Sequence, residues 1–264
     1  MKKILYFLLA GIILTAVIWA CEKNSNEQKS QDASNNGTPK KLRQRDNSPC
    51  LDTTCCTLVG TGLTRSFRVP GYEPCVAIVT YDQYQCTNCG GSTIVRILFD
   101  NFHVSLNDDS CTVLKNRWDS LHTATNYSQE NAEMDAFNKA AEKKLEDIVI
   151  KGWFPNHPMD SFPCNGTVYF FGTEYVSGMC YVWCVTNFPS ATPPYTSLTK
   201  LFCGDICCLK QTLWCNDGNG MVQHGDPSYS EHGTTCGSQY SSCSGGSGSP
   251  RTVGTTCDTH TCDD

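Results

Sequence analysis

Apolar and polar positions follow four different patterns along this chain. Residues 4–20 carry no charge at all, whereas residues 22–48 are polar throughout, with Leu42 as their one large apolar residue. From residue 64 to 106 the pattern predicts strands. Residues 75–81 (CVAIVTY) are rich in β-branched and aromatic side chains. Residues 93–99 (TIVRILF) are apolar on both faces apart from Arg96, which predicts a central strand covered by a helix. Between them, Cys86-Thr-Asn-Cys89-Gly-Gly reads as a turn.

The covering helix follows. Met134, Phe137, Ala141, Leu145 and Ile148 recur at spacings of three and four, which makes one apolar stripe. Ser128 is the expected N-cap, with Glu130, Glu133 and Asp135 near the positive end of the dipole and Lys151-Gly152 as the stop. A shorter helix is expected around residues 110–122. After Pro155, Pro158 and Pro163, strands are expected at 167–171, 179–188, 198–202 and 209–214, and Asn216-Asp-Gly-Asn-Gly220 is a hairpin-turn signal. Residues 234–264 are mostly Gly, Ser, Thr and Cys. The expected fold class is α+β: an antiparallel sheet with one long helix packed on it, plus a disulfide-stapled C-terminal segment. The expected organisation is a leader at 1–20, Cys21 with a disordered linker at 21–48, an α+β domain at 49–188, and a cysteine-rich β and loop segment at 189–264. That last segment is continuous with the domain or packed on it.

The leader consists of Met1-Lys2-Lys3 followed by an apolar run, the plan of a secretory signal peptide. It ends Val17-Ile18-Trp19-Ala20-Cys21, which resembles the lipobox of bacterial lipoproteins, although Trp19 is larger than the residue usual at its position. The resemblance covers residues 1–21. It implies cleavage before Cys21, acyl chains on Cys21 and attachment to a membrane, and hence an address in the bacterial cell envelope, on the periplasmic or surface face of the outer membrane. Two or three acyl chains make such attachment stable. The alternative is an uncleaved anchor, since 17 helical residues at ~1.5 Å each reach roughly 26 Å. Both readings place the rest of the chain outside the cytoplasm. The linker cannot bury enough surface to offset its ordering entropy, and as a flexible coil its ends lie on the order of 30 Å apart. Its basic cluster, Lys40, Lys41, Arg43 and Arg45, reads as part of a solvated linker.

Charge narrows the partners. From Pro49 onward there are 12 Lys and Arg against 22 Asp and Glu, a balance that repels nucleic acid. The remaining expected partners are the membrane, through Cys21, and an envelope protein or glycan. Cysteine narrows the chemistry. Beyond Cys21 there are eighteen: Cys50, Cys55, Cys56, Cys75, Cys86, Cys89, Cys111, Cys164, Cys180, Cys184, Cys203, Cys207, Cys208, Cys215, Cys236, Cys243, Cys257 and Cys262. An even number in an exported chain reads as a disulfide framework of undetermined connectivity. Neighbouring side chains in extended backbone point to opposite faces, so each member of Cys55-Cys56 and Cys207-Cys208 is expected to bridge elsewhere.

Candidate chemistry is sparse. Cys86-x-x-Cys89 lies between strands rather than at a helix N-terminus, and no second CxxC exists, so a structural disulfide is favoured over redox or zinc chemistry. His224, Asp226, Glu231 and His232 gather metal-ligand types in an irregular polar loop, and Asp217-Gly-Asn-Gly lacks the later ligands of a calcium loop. Neither carries a metal prediction, and no cofactor is implied. G-x-S-x-G and H-E-x-x-H are both missing from the sequence. His103 and His157 read as structural or solvated. No catalytic residue is singled out. Trp153, Phe154, Tyr169, Phe170, Phe171, Tyr175, Tyr181 and Trp183 form either core or a glycan-stacking platform, with Tyr181 and Trp183 on the face opposite Cys180, Val182 and Cys184. The expected function is a non-catalytic binding or structural module of an envelope lipoprotein. The alternative is an exported hydrolase with a spatially assembled site.

Overall fold

A long central strand organises the fold. The computed structural model describes residues 55–87, 95–153, 162–165, 171–237, 240, 242–244 and 246–262. The leader, Cys21, the linker, Cys50, Cys89, His157 and residues 167–170 of one expected strand lie outside them. The strands are β1 (Cys56–Arg68), β2 (Val76–Cys86), β3 (Val95–Asn107), β4 (Phe171–Gly178), β5 (Cys180–Phe188), β6 (Tyr195–Phe202), β7 (Cys207–Asn216), β8 (Met221–Gln223), β9 (Ser228–His232) and β10 (Ser249–Thr259). Two helices, α1 (Thr112–Thr123) and α2 (Tyr127–Trp153), lie between β3 and β4.

All ten strands belong to one sheet. One edge of β3 pairs with β2, which in turn pairs with β1. Its other edge is shared. Val95–Phe99 pairs in parallel with Phe171–Tyr175 of β4, and Val104–Asn107 pairs antiparallel with Tyr195–Leu198 of β6. The sheet therefore forks at β3. One arm runs β4–β7 and then β8 and β9, and the other runs β6–β5–β10.

The fork sits at a break in the ladder. Between Asp82↔Asp100 and Thr80↔His103 the single residue Tyr81 opposes Asn101 and Phe102, and Asn101 has φ +50°. This is a β-bulge with a left-handed residue, a device that bends and twists a strand. A second irregularity faces it across β2, where Thr61 and Gly62 oppose Asp82 and Gly62 has φ +58°. The Asp82 carboxylate holds both. Its Oδ1 accepts the Gly62 N–H at 2.8 Å, and its Oδ2 accepts the Asn101 side-chain amide.

The helices cover one face of the sheet. Met134, Phe137, Ala141, Leu145 and Ile150 of α2 and Trp118 of α1 are buried with Ala77, Val79, Tyr81, Ile97 and Phe99 in one core. The alternation of β2 explains its share, since Ala77, Val79 and Tyr81 are inside and Val76, Ile78 and Thr80 are half-exposed. The other face carries small clusters sealed by cystine. Leu98 packs near Cys56–Cys86, Val182 and Leu201 near Cys184–Cys243, and Met179 near Cys208–Cys262. Three further bridges are Cys75–Cys111, Cys164–Cys215 and Cys180–Cys236, and Cys203–Cys257 completes the seven found among the described residues. Cys55 and Cys207 are disulfide-bonded as well, so neither vicinal pair closes on itself.

Several expectations are corrected. The sheet dominates the fold, so α+β with one long helix describes it only roughly. The β3–β4 pair is parallel, and its direction follows from the two helices that make the crossover, which no local pattern reveals. The helix starts at Tyr127, so Ser128 lies inside its first turn rather than capping it. Thr125 (φ +54°) turns the chain, and the Asn126 carbonyl accepts the Glu130 N–H. The stretch 224–232 is partly strand, because β9 pairs with β7. The C-terminal segment supplies β10, which pairs with β5. Asp82→Ala should lower stability by about 1–2 kcal/mol, since two surface hydrogen bonds are lost. Urea unfolding without reductant measures this, and an unchanged midpoint would remove the carboxylate from its bridging role.

Candidate functional site

Helix α2 carries a polar stripe beside its apolar one, and three groups of chemistry gather along it or across the sheet. At the first, Asp135 meets the β5–β6–β10 arm. Its Oδ1 accepts hydrogen bonds from the Tyr181 hydroxyl at 2.5 Å and Trp183 Nε1 at 3.0 Å, and its Oδ2 lies 3.0 Å from His260 Nδ1. The His260 ring stacks on Tyr181 with centroids 3.8 Å apart, and the Lys200 ammonium sits 4.5 Å from the Tyr181 centroid. Lys200 also donates to Ser177 Oγ at 3.3 Å, across the gap between the two arms. Burial pushes the Asp135 carboxyl up, but hydrogen bonds and charge from His260, with the Tyr181 hydroxyl and Lys200, hold it below its ordinary value.

At the second, Glu130 is fully buried. It binds Arg251 Nη1 of β10 and His122 Nδ1 of α1, the latter at 3.0 Å. Arg251 Nη2 reaches Asp119 at 3.0 Å. Further along α2, Glu146 accepts from the Thr173 hydroxyl of β4 and from Lys210 of β7 at 3.2 Å. Tyr175 donates to the Glu142 carbonyl at 2.9 Å.

The third group lies on the far face of the sheet. His103 Nε2 is 2.8 Å from Ser197 Oγ, joining β3 to β6 just beyond the fork. Burial lowers the pKa of this imidazole.

Of these, His103 with Ser197 has the spacing of a base and a hydroxyl. Lys200 donates to Ser177, so it cannot take that hydroxyl's proton in this arrangement. Ser197 sits in mid-sheet between Ser105 and Thr186, where the backbone is committed to two ladders. An oxyanion hole needs donors that are free to turn to a substrate. A surface depression on α1, lined by Asn116, Asp119, Ser120, Thr123 and Ala124, shares only Asp119 with these groups. The first two groups hold α2 against β10, β5 and α1, and Glu146 holds it against β4 and β7, in the manner of a clasp.

The residues picked out in the sequence scatter. Cys86 is bonded to Cys56, thirty positions earlier, so it does not pair with Cys89. His224 lies by the Cys215 sulfur at 3.8 Å, while His232 contacts Ser230 at 3.3 Å on exposed β9. Among the described residues no group of three His, Cys, Asp or Glu is placed to hold a metal ion. Tyr175, Tyr181 and Trp183 are buried in the core, which overturns the platform reading for them. The side chains of Trp153, Phe154, Tyr169, Phe170 and Phe171 lie outside the described residues. The contacts of Asp135, and Lys200, Arg251 and His260 altogether, were not foreseen. The available signal was a set of carboxylates flanking the apolar stripe of α2, at 130, 135 and 146. Compared with known proteins, the chain matches no family model, no curated sequence and no solved structure.

Two pH effects follow. The lowered pKa of His103 means the unfolded chain takes up a proton first as pH falls. Its contribution is complete above the ordinary value of 6.5 and is lost as pH drops from there through the folded-state value. His103→Gln should flatten that limb of the stability curve, and a parallel mutant curve would exclude it. Asp135 behaves as a depressed carboxyl, stabilising above its ordinary value of 3.8 and losing this as pH falls through the folded-state value. Asp135→Asn should remove that acid dependence in urea titrations, and a mutant that keeps it would place the acid-sensitive group elsewhere.

Proposed function

We propose that this chain is an exported lipoprotein of the bacterial cell envelope, held to the membrane by acyl chains on Cys21, whose disulfide-bonded domain serves as a non-catalytic binding or structural module. The observation that carries the reading is the cystine framework. Among the described residues fourteen cysteines pair in seven bridges and Cys55 and Cys207 are bonded as well, and such density persists in oxidising compartments. The lipobox-like ending at Cys21 supports the address. The clasp-like use of Asp135, Glu130, His122 and His260 supports a rigid scaffold rather than a reaction centre, because each side chain is engaged with another part of the fold. The polar composition of residues 22–48 suits a tether between lipid and domain.

Intact mass of the membrane-extracted protein tests this. The expected species begins at Cys21, carries acyl chains and takes up no alkylating reagent until reduced. Cys21→Ala should remove the acyl mass. An intact Met1, or a wild-type mass without acyl chains, would overturn the lipid anchor, and readily alkylated thiols would overturn the cystine scaffold.

A further inference from the structure

The sheet face turned away from the helices has a composition unlike the rest of this acidic chain. Phe67, Val79, Val104 and Leu198 occupy the helix side of β1, β2, β3 and β6, so alternate positions face outward. Register sets Thr64, Thr80 and His103 in one row across three strands. The adjacent row holds Ser66, Ile78, Ser105 and Ser197 across four. No register shift interrupts residues 64–68, 76–80, 103–107 or 195–198. The hydroxyls of Thr64, Ser66, Thr80 and Ser105 thus share this face with Ile78 and His103, on positions about 4.8 Å apart between strands and about 6.8 Å apart along them. Thr64 and Ser66 are exposed, Ile78, Thr80, His103 and Ser105 half-exposed, and Ser197 buried beneath His103. Beyond these rows on the same face Tyr195 stacks on Phe188, centroids 4.6 Å apart, both half-exposed.

Neither row contains Asp, Glu, Lys or Arg. Arg68 bounds the patch at one corner, and Asp82 is engaged at the fork. We propose that this hydroxyl face, with the Tyr195–Phe188 pair at its border, binds a neutral polysaccharide. The proposal deepens the binding part of the function proposed above and rests on it. Charge complementarity selects the occupant. Two rows without formal charge, with a single guanidinium at their corner, offer little to attract an anionic glycan, nucleic acid or phospholipid surface. A protein partner would be expected to meet a buried apolar centre, and Ile78 is the one large aliphatic side chain in the two rows. Hydroxyls both donate and accept, as sugar hydroxyls do. The aromatic pair offers apolar ring surface to the C–H face of a pyranose.

Affinity electrophoresis of the full chain in non-ionic detergent, without reductant, tests the proposal. The gels would contain glucomannan, xyloglucan, mixed-linkage β-glucan or galactan, with polygalacturonate and dextran sulfate as charged comparisons. Retardation by at least one neutral polymer is expected, weakened about tenfold or more by the pair Thr80→Lys and Ser105→Lys. Tyr195→Ala should weaken it too, and Val113→Lys on α1 should not. If the double variant fails to fold, Thr64→Lys at the exposed edge takes its place. Retardation by no neutral polymer, retardation by the charged polymers alone, or equal retardation of wild type and face variants would overturn the proposal. The anchor is read separately by mass, so a lipidated protein that ignores every neutral polymer refutes the glycan face and leaves the lipoprotein standing.

Discussion

A β-strand has two edges, and β3 divides one of them between partners of opposite direction. Parallel and antiparallel ladders space their hydrogen bonds differently, and the change falls where Asn101 and Phe102 form the bulge. Asp82 fixes that position by holding the irregularities on both of its neighbours with one carboxylate. Everything beyond β3 depends on this fork. The arm of β4 and β7 runs one way, and the arm of β6, β5 and β10 runs the other. The gap between them is spanned by Lys200 reaching Ser177.

Helix α2 makes the fork a single body. Its N-terminal half binds one arm through Glu130 and Asp135, and its C-terminal half binds the other through the Glu142 carbonyl and Glu146. Apolar packing alone would tolerate a helix shifted by a turn, since Met134, Phe137, Ala141 and Leu145 repeat along one stripe. The carboxylates do not tolerate it. A buried charge that loses its partner costs about 3–5 kcal/mol, so each fixed pair penalises the wrong register. The polar stripe is best understood as specifying where α2 lies, with the apolar stripe supplying the larger driving force.

The legible part of the fold was the part written in local periodicity. Residues 93–99 read as a central strand and residues 134–148 as its cover, because a two-sided apolar run and a 3.6-residue stripe report burial directly. Tyr181 and Trp183 fell on the face opposite Val182 and Cys184 for the same reason. What escaped was set by distant contacts. β10 is mostly small polar residues and becomes a strand because β5 offers it an edge, while Cys203–Cys257 and Cys208–Cys262 hold its end. β9 reads as polar loop and pairs with β7. Asp135 was legible as a dipole-favouring acid near a helix start. Its use as the acceptor for Tyr181, Trp183 and His260 depends on strands that lie 46 and more positions away.

The bridges divide by position along the chain. Cys56–Cys86 and Cys75–Cys111 close within the first stretch, whereas Cys164–Cys215, Cys180–Cys236, Cys184–Cys243, Cys203–Cys257 and Cys208–Cys262 close within the last. None of the seven crosses from one group to the other. Cys207 is bonded as well, and the five late bridges use every other cysteine from Cys164 onward, so its bond reaches back to the first stretch. The framework is two sets of local staples with a long tie between them. A cut in the polypeptide anywhere between Cys111 and Cys164 would leave both halves covalently joined until a reductant releases them.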